Sequence, residues 1–403
     1  MRNFILVVLV SLGSYCWGQG NQLETIELSK SNRFENELKL SDLAEEVEYV
    51  PLETNEKCLI GNIIPNPALT DEYIFVGNLQ FDRKGKFIRS IHHTGQGPNE
   101  DFIRCTGYDK KNRLIYMYGN YPPYKIIVYD FNGKLVKSIN NPLKDEPFDS
   151  EGQLFFVHGI ICDDKGNLVL FPDYEKKQIL YKYVVMSPDG KIIHKEKSYD
   201  VCTFKERTLE VSSYYTSPFF RNESGYYLRK SYNDTIFRIN PDYTCSAAYF
   251  IKQQKPVTLE ESMKASAYVI NYSELINRNT IYTVKDSKKY LYIDHAHSPY
   301  DRENRRIFFS LYDKQTRQLT ANIKRTIQND WDGGMDIENF YTSYMENSAV
   351  CFPLQPFEMQ EQLTDAHFTK AVAKSPEKKK ALQTLVKGLL DDDNPVLMII
   401  KLK

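Results

Sequence analysis

The 403-residue sequence predicts an all-β fold: a six-bladed β-propeller whose N-terminal strand completes the last blade, with short helical insertions. Three observations predict it. A strand–turn–strand unit recurs five times, one strand near each end of the chain lacks a hairpin partner, and the aromatic residues are those that suit a pleated surface. There are 29 Tyr and 22 Phe against 2 Trp, and such side chains pack well in strands.

The recurring unit is read from its turns. Its first occurrence runs from Ile74 to Phe81, turns through Asp82-Arg83-Lys84-Gly85 and returns over Lys86–Ile91. The others turn at Asp130–Gly133, Ser187–Gly190, Asn240–Tyr243 and Asp313–Thr316. An Asp, Asn or Ser at the first position can hydrogen-bond the backbone two residues on, and a Gly at the fourth accepts the left-handed conformation. The units recur at the length of a four-stranded blade with insertions, roughly 40–50 residues or more. Leu114–Tyr118, Asn167–Phe171, Gly225–Arg229 and Lys289–Ile293 supply further strands, and Ser348–Phe352 has the same character.

The two unpartnered strands are Val47–Leu52 and Val396–Leu402. A propeller leaves an open edge unless the two chain ends share a blade. Val47–Leu52 is therefore expected as the outer strand of the final blade, beside Val396–Leu402. Five hairpins and one composite blade make six. Residues 258–279 read as one helix, with Thr258 and Glu261 forming a capping box. Residues 357–390 read as two helices split near Ser375-Pro376, with Pro376 at the first position of the second. Both insertions are expected over one face of the ring. The domain boundaries are then 1–18 for an export signal, 19–37 for an N-terminal extension and 38–403 for a single propeller.

The export signal has Arg2 in its charged region, an apolar run from Phe4 to Leu12, and the small residues Gly13, Ser14 and Gly18. The run is shorter than the ~20 residues that span a bilayer. Lipidation at Cys16 is the rival reading, but Gly13 and Tyr15 match a lipobox poorly. The expected location is periplasmic or cell-surface in a Gram-negative bacterium, with no transmembrane segment in the mature chain. The remaining six cysteines are dispersed and read as buried thiols.

With 52 Lys+Arg against 53 Asp+Glu the formal net charge is −1, which excludes the basic face that nonspecific nucleic-acid binding requires. The motifs Phe81-Asp82-x-x-Gly85-Lys86-Phe87-Ile88-Arg89-x-Ile91 and Gly95-x-Gly97-Pro98-x-Glu100 resemble those of a bacterial exported six-bladed propeller family, TolB-like in shape. Val50-Pro51-Leu52-Glu53-Thr54, Asn233–Phe237, Asp330-x-Asp332-Gly333-Gly334 and Asp393–Leu397 extend the resemblance over nearly the whole mature chain. It implies a fold and an exported or lipid-anchored protein, and no reaction. His92-His93 departs from the single Gly usual there.

Candidate binding residues are Glu100 beside the Gly-Pro loop, His295 and His297 at a strand end, and Trp331 and Asp332 in the Asp-Trp-Asp-Gly-Gly turn. Period-two geometry places His295 and His297 on one face, a spacing that can ligate a metal, but no third ligand is evident. The turn at Asp330 lacks the Glu of a calcium loop, since Tyr341 stands at the twelfth position. Trp331 can stack on a sugar or another ring. No nucleophile elbow, zinc-protease helix or P-loop occurs. The sequence thus favours a binding or interaction propeller for an unknown small molecule, glycan or envelope protein, engaged at a channel mouth and with no cofactor expected. The alternative is a metal-dependent hydrolase or lyase with calcium or zinc in the channel.

Overall fold

The structure, a computed structural model, describes residues 23–403 apart from 29–31, 34–37, 62–66, 96, 98–99, 123, 142, 144–156, 173–179, 200–218, 223–224, 231, 267–269, 302, 304, 324, 339, 341–343 and 347. The expected export signal, Cys16 and Cys202 lie outside the described residues.

The chain opens with a strap of β1 (Glu24–Glu27), β2 (Asn32–Arg33), β3 (Leu38–Lys39), the helical turn α1 (Leu40–Leu43) and β4 (Ala44–Pro51). Blade 1 follows as β5 (Ala68–Leu69), β6 (Tyr73–Val76), β7 (Leu79–Asp82) and β8 (Phe87–Ser90). Blade 2 is β9 (Ile103–Asp109), β10 (Leu114–Gly119), β11 (Ile126–Asp130) and β12 (Leu135–Ile139). Blade 3 is β13 (Val157–Cys162), β14 (Leu168–Pro172), β15 (Tyr181–Met186) and β16 (Ile192–Lys197). Blade 4 is β17 (Phe219–Asn222), β18 (Gly225–Leu228), β19 (Thr235–Ile239) and β20 (Cys245–Lys252), and α2 (Leu259–Ser266) leads onward. Blade 5 is β21 (Asn279–Asp286), β22 (Tyr290–His297), β23 (Arg306–Asp313) and β24 (Gln318–Ile323). After β25 (Ile327–Gln328), blade 6 contributes β26 (Tyr344–Glu346) and β27 (Ala349–Leu354), then helices α3 (Pro356–Gln362), α4 (Asp365–Lys370) and α5 (Pro376–Gly388), then β28 (Val396–Leu402).

The six small sheets form a ring, a six-bladed β-propeller. The last blade has the strand order β26-β27-β28-β4, so the N-terminal strand is its outer member. Tyr49 pairs with Met398 and Val47 with Ile400 in antiparallel register, which is the closure expected from the two orphan strands. The five repeating hairpins are the third and fourth strands of blades 1–5. The run Ile74–Phe81, read as one strand, is two: Gly77, at φ 60°, turns the chain between β6 and β7.

The apolar cores lie between blades, one cluster at each of the six junctions. This is why β28 is an almost unbroken apolar run. Met398, Ile400 and Leu402 face blade 5 while Leu397 and Ile399 face blade 1, so both sides of the strand are buried. The strap does more than close blade 6. β1 adds a parallel fifth strand to β20 of blade 4, β2 does the same to β24 of blade 5, and β3 pairs with β25. Nothing in the extension's sequence marks these short segments as strands.

The helices differ in detail from the sequence expectation. Residues 258–279 are not one helix. Thr258 and Glu261 do form the capping box, but α2 ends at Ser266, a short 3-10 turn follows at Tyr272–Leu275, and Asn279 already begins β21. Asn271 starts that turn with its own capping box, which interrupts the longer helix. Residues 357–390 hold three helices rather than two, because Thr364 caps an additional start. Pro376 does begin α5. Cys58 and Cys351 are buried free thiols, as read from the sequence, whereas the free thiols Cys105 and Cys245 are only partly buried.

At the seam between blades 6 and 1 the family-like motifs meet. Glu53 donates its N–H to Gly85 O (2.8 Å) and accepts the Phe87 N–H at its carboxylate (2.9 Å). Asn394 accepts from Ile60 N–H and donates to the Glu53 and Cys58 carbonyls, while its own N–H goes to Thr54 Oγ1. Gly85 sits at φ +85°, and a Cβ there would overlap the Pro51 carbonyl oxygen. Gly85→Ala is expected to cost about 2–4 kcal/mol from left-handed strain plus the clash. Urea unfolding is the measurement, with Gly61→Ala as the control, since a Cβ at Gly61 meets nothing within 4 Å.

Candidate functional site

In each antiparallel blade the link arriving from the previous blade and the turn between second and third strands emerge at the same end of the strands. That link end carries α2, α3, α4, α5 and the segments around Gly95 and Trp331. The repeating hairpin turns emerge at the other end. The expected placement of the helical excursions on one side of the ring follows from this topology.

The side chains singled out from the sequence are held by their own surroundings. Glu100 Oε2 accepts the Gly97 N–H (3.0 Å), and a Cβ at Gly95 or Gly97 would press on its carboxylate. Glu100 therefore braces its loop; Gln96, Pro98 and Asn99 of that loop lie outside the described residues. His295 hydrogen-bonds Ser310 Oγ (2.8 Å) and its ring lies against Phe308, whereas His297 bonds Asn279 Oδ1 (3.1 Å). Among the described residues no group of three or more His, Cys, Asp or Glu is placed to hold a metal ion.

Trp331 and Asp332 belong to a clasp. Asp332 Oδ1 accepts from Tyr49 of the closing strand (3.2 Å), from Asn329 Nδ2 and from Gly334 N–H. Asp330 accepts the Ser41 N–H and hydroxyl (2.9 and 2.8 Å). The Trp331 carbonyl receives Ser375 N–H, Lys374 lies over the indole, and His367 bonds the Gly333 carbonyl. The turn thus ties the strap, the link from blade 5 and the helical insertion together. Burial raises the Asp332 pKa, opposed mainly by the Gly334 N–H.

The link end exposes most of the large apolar side chains that remain in solvent, set among charged and polar ones. Of the twelve large hydrophobic side chains exposed among the described residues, eight lie there: Leu59, Phe102, Tyr121, Tyr199, Ile276, Phe357, Val372 and Leu390. The others, Leu23, Leu135, Val136 and Ile193, lie on the strap or on outer strands. Three hydroxyls from separate segments also converge at the link end: Ser262 of α2 bonds Tyr232 (2.7 Å) and Tyr300 (2.8 Å).

Beneath these loops the junction of blades 5 and 6 contains buried charge, as does the junction of blades 4 and 5, where Asp286 pairs with Lys314 and Asn222. The β21–β22 register sets Thr283 opposite Asp294 and Lys285 opposite Tyr292, so Lys285 and Asp294 are diagonal neighbours on one face. That face also holds Tyr292, Phe309 and Phe340. Asp294 is 1% exposed and Lys285 8%. Burial pushes the Lys285 pKa down to about 7 and the Asp294 pKa up to about 6, the latter shift opposed by Arg325 and Lys285. Arg325, in the link to blade 6, approaches Asp294 Oδ2 at 3.4 Å. Among the described residues Asp294 Oδ1 is buried without a hydrogen-bond partner. Half-buried Tyr282 lies within electrostatic reach of Asp294, Arg305 and Arg325, and burial raises its pKa. Sequence reading stopped at the histidines beside Asp294, because the β21–β22 register that brings Lys285 near it is not visible in the sequence.

Burial holds the His295 imidazole down, to about 4. The native state therefore favours the neutral ring, and the unfolded chain takes up the proton first as pH falls through about 6.5. Stability present above that pH is lost progressively down to about 4. His295→Gln, compared with the parent by urea unfolding at neutral pH and near pH 4.5, is expected to remove roughly 2–3 kcal/mol of this acid sensitivity.

No curated protein matches the chain. Among solved structures it is similar to a Bacteroides fragilis protein whose name calls it exported, at 14% identity and TM-score 0.64, covering 95% of this chain and 100% of that one. It is also similar to a Bacteroides vulgatus protein of the DUF4221 family, at 12% identity and TM-score 0.49, with 92% and 99% covered. The model of the domain of unknown function DUF4934 matches residues 23–401. Since that match spans the strap, all six blades and the closing strand, the chain belongs to the DUF4934 family.

Proposed function

We propose that the protein is an exported binding propeller that engages an envelope glycan or protein with the link end of its ring. The carrying observation is the gathering of eight of the twelve exposed large apolar side chains at that end. Apolar groups left in water on a rigid scaffold mark a surface made to be covered, and loops set on such a scaffold are the usual recognition elements. Tyr121, Tyr199 and Phe102 suit the flat faces of sugar rings or the side chains of a protein partner. The opposite end consists of short hairpin turns whose Asp and Asn side chains bond their own backbone, as Asp82 and Asp130 do. Export is supported by Arg2 and the apolar run from Phe4 to Leu12. Among the described residues no helix is long and apolar enough to cross a membrane.

The test is photo-crosslinking in cells of the parent organism. A benzophenone side chain is placed at Tyr121 or Tyr199, and for comparison at Leu135 or Val136 on an outer strand. Discrete adducts from the first pair and none from the second are expected. Adducts of equal yield from both pairs, or from the outer strand alone, overturn the placement.

A further inference from the structure

The junction of blades 6 and 1 is not filled along its whole depth. Its apolar core holds Val50, Leu397 and Ile399 of blade 6. Glu48 and Glu46 lie on the same face of β4 as Val50, because successive side chains of a strand alternate. The register sets them opposite Ile399 and Lys401. On the blade 1 side β5 is only two residues long, and after Leu69 the chain turns away through Thr70 and Asp71. The two blades therefore part at the hairpin-turn end and leave a groove of about 250 Å³. That volume lies just below the range of pockets for drug-sized ligands and suits a small metabolite.

Both signs of charge line this groove, around a floor of Leu69, Ala349 and Ile399. Among the described residues the side chains of Glu46 and Asp71 have no hydrogen bond or ion pair. Arg83, from the turn between β7 and β8, reaches Glu48 at 3.7 Å, an ion pair too long for a hydrogen bond, and keeps 34% of its side chain exposed. A bare cation would meet Arg83, Lys110 and Lys401 at the rim, and a bare anion would meet Glu46, Glu48 and Asp71. A molecule that carries both charges can set each against its opposite. A guanidinium takes a carboxylate through two parallel hydrogen bonds, a capacity that the long contact to Glu48 leaves open. We propose that the groove binds a free α-amino acid with an apolar side chain. Its carboxylate lies on Arg83, its ammonium on Glu46 and Asp71, and its side chain on the apolar floor.

This site lies at the opposite end of the ring from the link-end surface and does not depend on the role proposed for it. The experiment is isothermal titration of the full chain with leucine and methionine, against isopentylamine, isocaproate and glycine. These three lack the carboxylate, the ammonium and the apolar side chain in turn. Saturable binding of leucine or methionine is expected. Each comparison compound should bind about tenfold more weakly or worse, the scale of one lost charge-assisted hydrogen bond or one aliphatic side chain left in water. Glu46→Gln and Arg83→Gln, both at solvent-accessible positions, should each weaken the amino acid about tenfold. Circular dichroism confirms the fold of each variant, and if Arg83→Gln fails to fold, Glu46→Gln decides alone. Absence of saturable binding by both amino acids, a comparison compound that binds as tightly as they do, or undiminished binding by a folded variant each overturns the proposal. Tyr121→Ser should leave amino-acid binding unchanged, so the loss of link-end adducts in cells and the loss of amino-acid binding are separable failures.

Discussion

The pairing of β4 with β28 is the constraint on which the molecule depends. A ring of sheets has no core of its own until each blade has a neighbour on both sides, because every apolar cluster is shared between two blades. Blade 6 is completed by strands from opposite ends of the chain, and both of its junctions depend on that pairing. There the structure concentrates its polar devices: Glu53 and Asn394 on one side of the composite blade, Asp330 and Asp332 on the other. Ser41 and Asp330 are 289 residues apart in sequence, so these contacts arise late and at a considerable loss of chain entropy. Backbone pairing over the whole of β4 and two-sided burial of β28 offset that loss.

This division of labour separates scaffold from site. The motifs around Glu53, Asp332 and Asn394 fall at the seam and the clasp, where they satisfy backbone groups and fix turns. Residues at the link end follow the opposite logic. Leu59, Tyr121 and Val372 lie exposed there and belong to none of the inter-blade cores.

Much of the ring was legible because its hairpin turns need particular residues. Asp or Asn followed by Gly is a local signal, and the two orphan strands could be matched by the logic of closure alone. The inner strands were not legible: β5 has two residues and β17 four, and nothing local distinguishes them from the links that precede them. The strap strands were invisible for a related reason, since β2 is only Asn32-Arg33 and exists through pairing with β24. Of the residues picked on motif shape, Glu100, Trp331 and Asp332 also hold turns, because tight turns and ligand sites draw on the same residue types. Asp294 escaped attention because its setting is defined by Arg325 and Lys285, which only the folded sheet brings near.

The strap has a consequence for biogenesis. Strands β1, β2 and β4 lie along the outside of blades 4, 5 and 6, in that order. The earliest part of the polypeptide therefore docks onto the parts synthesised last. During synthesis this segment must stay unpaired until nearly everything else has been made, and its exposed edge would be sticky meanwhile. Wrapping in the direction of synthesis leaves the girdle for the end, so that an incomplete ring stays open to rescue or degradation and only a finished one is locked.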